Sequence, residues 1–142
     1  MQLQADSEAQ SERFCRRVAE QEVVYFLSRR GSPITCESNE YFMGEDDPCS
    51  VMLFFSHTAY AKRAIQKHFP RCKIGEIKLF DFMYRWLPGM TGDGVIAGPD
   101  WNSELAGKEW VPFDLRLKIE EKMCPELVKA HELEYMRLSR TE

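Results

Sequence analysis

Apolar residues recur at helical spacing near the start of the chain. They lie on one face of a predicted helix over residues 7–21, and they are Phe14, Cys15, Val18 and Ala19. Ser7 and Gln10 match a capping box, in which each side chain satisfies the other residue's free backbone N–H. We therefore expect one amphipathic helix before the first strand.

A second amphipathic helix is the clearest element in the sequence. Its apolar stripe consists of Leu79, Phe82, Met83, Trp86 and Leu87. Pro88 is predicted to kink or end this helix, because proline lacks a backbone N–H and its ring clashes with the preceding turn. A later helix is predicted to begin at Pro112 and to bury Leu115, Ile119 and Met123. A last helix is expected over residues 126–140.

Short apolar runs between the helices predict β-strands. These runs are rich in β-branched and aromatic residues and cover residues 23–27, 34–36, 51–55, 74–79 and 95–97, with residues 110–111 as a further candidate. Residues 37–50 carry five acidic and no basic residues, a composition that predicts a solvated loop. Ser56 is predicted to cap a helix that ends at Pro70.

The order of these elements is not a clean alternation of strand and helix, which favours the α+β class over a doubly wound sheet. We predict a mostly antiparallel sheet covered by helices. The 142 residues suit a single domain over residues 1–142, with one hydrophobic core and a helical C-terminus.

Composition and charge narrow the possible functions. The net charge of −4 argues against a general nucleic-acid binder, because such proteins need a surplus of Lys and Arg. No apolar run approaches the roughly 18 residues that span a bilayer. The polar N-terminus and the five widely spaced cysteines predict a cytoplasmic protein without disulfides.

No pattern of chemically active residues indicates an enzyme. The three histidines are scattered, and no zinc spacing or serine nucleophile motif occurs. Cys72 lies four residues after His68 and is flanked by Arg71 and Lys73. Two interpretations follow: Cys72 is either a reactive thiol or an ordinary thiol near the start of a strand. The glycines of residues 89–98 follow a helix and precede a strand, which indicates a helix stop. We expect no metal and no cofactor.

Two charged segments are candidate interaction surfaces. The basic run consists of Lys62, Arg63, Lys67, Arg71 and Lys73, with Tyr60 and Phe69 interleaved. It predicts either the solvated face of a helix or weak nucleic-acid binding. The acidic segment around Asp46 and Asp47 is a candidate docking site for a basic partner.

Trp101 lies in the turn-rich segment of residues 98–102 and has two possible roles. An exposed tryptophan there would anchor a partner, whereas a buried one would close the core beneath the loop. The candidate binding residues are Trp101, Asn102, Asp100, Asp93, Asp46 and Asp47.

The last predicted helix carries a short seam at alternating spacings of four and three. Its members are Cys124, Val128, His131, Tyr135 and Leu138. The seam predicts either packing of this helix on the domain or a homodimer formed through it.

From Arg13 to about Glu121 the chain resembles a bacterial family of unknown function, number 2750. The resemblance is carried by residues 54–56 with 59–61, by Trp86-Leu87-Pro88-Gly89-Met90, and by a later segment containing Gly98, Trp101, Asn102, Leu105 and Gly107. It implies a family-like core over residues 7–121, with residues 125–142 as a C-terminal extension. It also implies a bacterial origin, and it assigns no catalytic residue.

Three functions follow as expectations. The first is a non-enzymatic module that binds another protein, as regulators and toxin-neutralising immunity proteins do. The second is a small-ligand binder or enzyme with a pocket near Trp101, in which Asp100 or Asp93 would be the acid or base. The third is weak nucleic-acid binding through the basic run from Lys62 to Lys73.

Overall fold

The computed structural model describes residues 2–140 and the side chains of residues 7–140. The helices are α1 (Gln2–Gln21), α2 (Thr58–Lys67), α3 (Leu79–Asp81), α4 (Leu87–Asp93), α5 (Pro112–Lys122) and α6 (Pro125–Arg140). A π-helical turn (Phe82–Trp86) joins α3 to α4. The strands are β1 (Val23–Arg29), β2 (Ser32–Pro33), β3 (Thr35–Gly44), β4 (Asp47–Phe55), β5 (Lys73–Lys78) and β6 (Ile96–Pro99). Met1 and residues 141–142, which belong to the predicted domain and C-terminal extension, lie outside the described residues.

Strand β4 organises the sheet. It pairs antiparallel with β1 at Phe54 and Phe55 and with β3 along most of its remaining length. On its other side it pairs in parallel with β6, and β5 pairs antiparallel with β1. A single antiparallel bridge between Ala97 and Trp110 extends the sheet beyond β6. The predicted α+β class, with a mostly antiparallel sheet, is confirmed.

Helices cover both faces of this sheet because β4 is apolar on both sides. Phe54 packs into a cluster with α1, the α3–α4 segment and α5. Its neighbours Leu53 and Phe55 pack with α2 on the other face. The near-continuous apolar run of residues 51–55 is what a strand buried on both faces requires. Trp101 joins the α2 side of the core.

The prediction that the first helix begins at Ser7 was wrong. Helix α1 begins at Gln2, so Ser7 lies within it and the capping box does not mark its start. Residues 2–5 consist of Gln, Leu, Gln and Ala, which favour helix, and they extend it by more than a turn. The apolar face of α1 is buried as predicted.

The prediction of a solvated loop over residues 37–50 was also wrong. This segment forms the β3–β4 hairpin, with its turn at Glu45 and Asp46. Its acidic side chains are all exposed, whereas Ser38 and Cys49 are buried. The carboxylate of Glu109, 4% exposed, accepts hydrogen bonds from the Ser38 hydroxyl and the Asn39 backbone N–H. A distant residue thus stabilises a strand whose own composition is typical of a loop.

Two details around α2 and α4 also differ from expectation. His57 caps α2, because its Nδ1 accepts from the Ala59 N–H at 2.9 Å, while Ser56 bonds elsewhere. Pro88 does not end its helix, which continues to Asp93 and is capped by Gly94 in the left-handed conformation. In the preceding π-turn the Leu87 N–H donates to the Phe82 carbonyl, and this wider turn accommodates the proline.

Helices α5 and α6 lie close to their predicted bounds. Pro112 is the first residue of α5, and Leu115, Ile119 and Met123 are buried. On α6, the seam residues His131 and Tyr135 contact the domain: the His131 ring lies 5.4 Å from that of Phe80, and Tyr135 stacks on Tyr84 at 5.0 Å. The homodimer through this helix stays a prediction. None of the described helices is long and apolar enough to cross a membrane.

Candidate functional site

Three arginines surround the ring of Tyr60 on α2. The guanidinium carbon of Arg13 lies 4.6 Å from the ring centroid, and those of Arg17 and Arg63 lie 5.5 Å from it. Arg17 also donates from Nη1 to the Tyr60 hydroxyl at 2.9 Å. Arg13 and Arg17 are four residues apart on α1, and Arg63 is three residues after Tyr60, so helical spacing places each set on one face.

A buried carboxylate holds one of these arginines. Asp100, with 0% of its surface exposed, accepts a hydrogen bond from Arg13 Nε at 3.2 Å. It also accepts from the backbone N–H and the hydroxyl of Ser56, each at 2.7 Å. Burial raises the pKa of Asp100, and the hydrogen bonds of Ser56 and the charge of Arg13 oppose that rise. Because Asp100 engages Nε, the two terminal nitrogens of Arg13 remain without a described partner.

A concave pocket opens beside these arginines, with a volume of about 150 Å³. It lies between α1, α2 and the loop of residues 100–109. Its lining consists of Gln10, Arg13, Tyr60, Arg63, Ala64, Trp101, Asn102 and Ser103.

Trp101 forms one wall of the pocket and is fixed in place. Its side chain is 6% exposed, and its Nε1 donates to the Lys108 carbonyl at 3.0 Å. A Cβ added at Gly98 or Gly107 would come within 2.7 or 2.3 Å of the indole ring, so both positions must be glycine for the ring to fit. Of the two roles expected for Trp101, the exposed anchor is therefore wrong, and the residue closes the core beneath its loop.

The loop after Trp101 is held by hydrogen bonds within the loop and by contacts with α2. Asn102 Oδ1 accepts from the backbone N–H groups of Glu104 and Ala106 at 2.9 and 3.1 Å. His68 Nε2 lies 2.6 Å from the Ser103 carbonyl oxygen, and Lys67 pairs with Glu104. These contacts hold the pocket wall in a defined position against α2.

The electrostatic character of the pocket is positive. Arg13, Arg17 and Arg63 bring three guanidinium groups to Tyr60, and among the side chains of residues 7–140 Asp100 is the one carboxylate bonded to any of them. Arg63 makes no described hydrogen bond or ion pair. Guanidinium groups with unused N–H donors bind carboxylates and phosphates in bidentate fashion. The arrangement is therefore suited to hold an anionic group.

The structure brings together some of the residues predicted to form a site and separates others. Trp101 and Asn102 line the pocket, and Asp100 lies behind it as the anchor of Arg13. Asp93, at the end of α4, and Asp46 and Asp47, at the hairpin turn, are exposed and do not line it.

The arginines of α1 and the role of Arg63 were missed by the sequence reasoning. The signal was present as a pair of arginines four residues apart on the helix whose other face forms the core. The other residues of the basic run are exposed, as expected for a solvated face: Lys62, Lys67, Arg71 and Lys73 all lie on the surface.

The cysteines offer no competing site. All five are unpaired. Burial raises the pKa of Cys15 to about 12, so this thiol is protonated and unreactive at neutral pH. Cys72 is partly exposed, and the Nε2 of the nearby His68 is occupied by the Ser103 carbonyl. Within the described residues, no cluster of three or more His, Cys, Asp or Glu side chains could hold a metal ion.

Comparison with known proteins identifies the family of this chain. No curated protein and no solved structure matches the chain. The model of a family described as proteins of unknown function, DUF2750, matches residues 11–119. This range includes Arg13, Tyr60, Arg63 and Trp101, and it ends before α6. Because the match covers most of the 142 residues, the chain belongs to the DUF2750 family.

Proposed function

We propose that this protein is a non-enzymatic binding protein whose site is the pocket between α1, α2 and the loop of residues 100–109. The site takes an anionic group of its ligand. The observation that carries the proposal is the pair of pocket-lining guanidinium groups, Arg13 and Arg63, whose terminal nitrogens have no described partner.

The lining supports binding rather than catalysis. Among the described residues that line the pocket there is no His, Cys, Asp or Glu to act as a general base or nucleophile. Asp100, which the sequence offered as an acid or base, accepts three hydrogen bonds and is fully buried. Its role in the proposal is to orient Arg13.

A protein partner, the first expectation from the sequence, fits the same site. An acidic or modified side chain of a partner is one kind of anionic group that the pocket would accept. A cytoplasmic location is part of the proposal, since five unpaired thiols suit a reducing compartment. The immunity-like role stays a prediction.

The test is a titration of the isotope-labelled protein with inorganic phosphate, sulfate and acetate, followed by amide chemical shifts. We expect saturable shifts at Tyr60, Asn102 and Ser103, because these residues surround the pocket. Arg63→Gln should weaken binding by roughly tenfold, which corresponds to the loss of one charge-assisted hydrogen bond.

Arg16→Gln is the matched control. Arg16 is an exposed arginine on α1 that does not line the pocket. Its substitution by glutamine therefore removes the same charge without altering the pocket lining. Equal loss of binding in Arg16→Gln and Arg63→Gln would show a diffuse charge effect and would contradict a specific site. Absence of saturable shifts with all three anions would overturn the proposed function.

A further inference from the structure

We propose, resting on the proposed function above, that the group held in this pocket is the phosphate of a phosphate monoester, bound as a dianion by Arg13 and Arg63. Charge favours this ligand over both a carboxylate and a sulfate, the number of donors favours it over a carboxylate, and the size of the pocket admits it.

The charge of the site matches a dianion. Three guanidinium groups lie around Tyr60, and Asp100 neutralises one of them. Arg13 and Arg63 line the pocket, whereas Arg17 contacts Tyr60 outside the lining. Among the described residues these groups leave a surplus of two positive charges around Tyr60, one of them at the pocket lining. A phosphate monoester carries between about −1.5 and −2 at neutral pH, whereas a carboxylate or a sulfate ester carries −1.

The polar groups of the pocket are predominantly donors. The terminal nitrogens of Arg13 and the whole guanidinium of Arg63 are donors, and they come from α1 and α2. Asn102 Oδ1 accepts two backbone N–H groups, which leaves its Nδ2 as the end without a described partner. Three terminal oxygens of a phosphate use donors on several sides, whereas a planar carboxylate has two oxygens.

Gln10 is a further polar residue of the pocket lining. Its Oε1 is buried without a hydrogen-bond partner. This atom lies beside Gly107 and has no exposed surface, so it does not face the pocket, and Gln10 is not counted among the donors to the phosphate.

The size of the pocket limits what enters it. Its volume of about 150 Å³ is below the roughly 300–1,000 Å³ of sites that enclose a drug-sized ligand. A phosphate group fits within it, and the carrier of that phosphate stays at the mouth. The carrier is either a small molecule or a phosphorylated segment of a protein, and the shared chemistry is the monoester.

The experiment compares phenyl phosphate, phenyl sulfate and benzoate by calorimetric titration of the whole chain at about pH 7.5. These probes share the phenyl ring and differ in the charge and shape of the anion. We expect phenyl phosphate to bind roughly tenfold or more tightly than phenyl sulfate, since its second ionisation adds a charge. Arg63→Gln should reduce this preference, and Arg16→Gln should leave it unchanged.

The pH dependence provides a second readout. The second pKa of a phosphate monoester is about 6, so its affinity should fall between about pH 7.5 and pH 5.5. Protonation of Asp100, which lies behind the pocket, would affect both esters. The ratio of phenyl phosphate affinity to phenyl sulfate affinity therefore isolates the charge of the ligand, and we expect this ratio to fall as the pH falls.

Each outcome has a distinct meaning. Equal affinity for the phosphate and sulfate esters, or stronger binding of benzoate, would overturn the monoester assignment and leave the anion-binding function intact. Failure of all three probes in the folded protein would overturn both. Titration with free phosphoserine and with a phosphoserine peptide then distinguishes the two sources of the phosphate. Comparable affinities indicate that a small molecule carries it, and much tighter binding of the peptide indicates that a protein carries it.

Discussion

At the scale of single residues, Asp100 connects the core to the pocket. It follows β6, where the backbone takes a positive φ of 47°, and its N–H donates to the Phe54 carbonyl at 2.8 Å. Its carboxylate holds Ser56, directly after β4, and Arg13 on α1. One side chain thus fixes a strand end, a helix and the loop that carries Trp101. A carboxylate predicted to face a ligand instead supports an arginine that lines the pocket.

The fit of Trp101 between two glycines gives a testable prediction. Gly107→Ala should lower the free energy of unfolding by about 1–3 kcal/mol, because the new Cβ would lie 2.3 Å from the indole Cδ1 and the ring must shift. Urea denaturation measures the change.

Gly89 supplies the matched control for that prediction. It lies in α4 with nothing within 4 Å of an added Cβ, so Gly89→Ala should raise stability by about 0.5–1 kcal/mol through helix propensity. Equal effects of the two substitutions would contradict the close fit of Trp101.

At the scale of elements, α6 is held to the domain by aromatic contacts and by Leu127 and Val128, which pack against the core. Among its described residues only His131 is buried. The His131 ring packs edge-on against Phe80 and Tyr84, and its buried Nδ1 has no hydrogen-bond partner. Burial lowers the pKa of His131, with a smaller contribution from Arg116, while Glu22 and Glu120 oppose the shift. Protonation of this histidine therefore opposes the docking of α6.

The pH dependence of stability follows from that shift. The folded state lowers the pKa of His131 below its unfolded value of about 6.5, so the unfolded state binds the proton more readily. The stability contributed by neutral His131 is present above that value and is lost as the pH falls below it. We expect the free energy of unfolding to decrease between about pH 7.5 and pH 5.5.

His131→Gln tests the assignment, because glutamine stays neutral over this range. The variant should show a smaller decrease in stability than the natural chain, measured by urea denaturation at both pH values. Identical slopes would show that other groups control the acid sensitivity.

At the scale of the whole molecule, the sheet separates two apolar clusters. One contains α1, the α3–α4 segment and α5, and the other contains α2 and Trp101. The basic pocket lies where α1 and α2 approach each other beyond the C-terminal ends of β4 and β6, so both layers contribute an arginine to it.

This layering predicts an order of local stability. Amides of β4 lie between paired strands and under helices on both faces, whereas α6 is largely exposed. Hydrogen exchange should therefore be slowest in β4 and much faster in α6. If the amides of α6 exchanged as slowly as those of β4, this order of local stability would be contradicted. Such slow exchange is the result expected if a second copy of the chain covered α6.

The sequence alone determined the α+β class, the apolar stripes of the helices and the start of α5, because burial imposes periodicity that is local in the chain. Tertiary structure alone decided that residues 37–50 form a hairpin, since the stabilising carboxylate of Glu109 is distant in sequence. It also decided the site. Arg13, Tyr60, Arg63 and Trp101 lie on three separate segments, and their convergence depends on how α1, α2 and the loop of residues 100–109 pack. The spacing of residues within one element indicates which of its faces is buried. It does not indicate which exposed faces of two different elements come together.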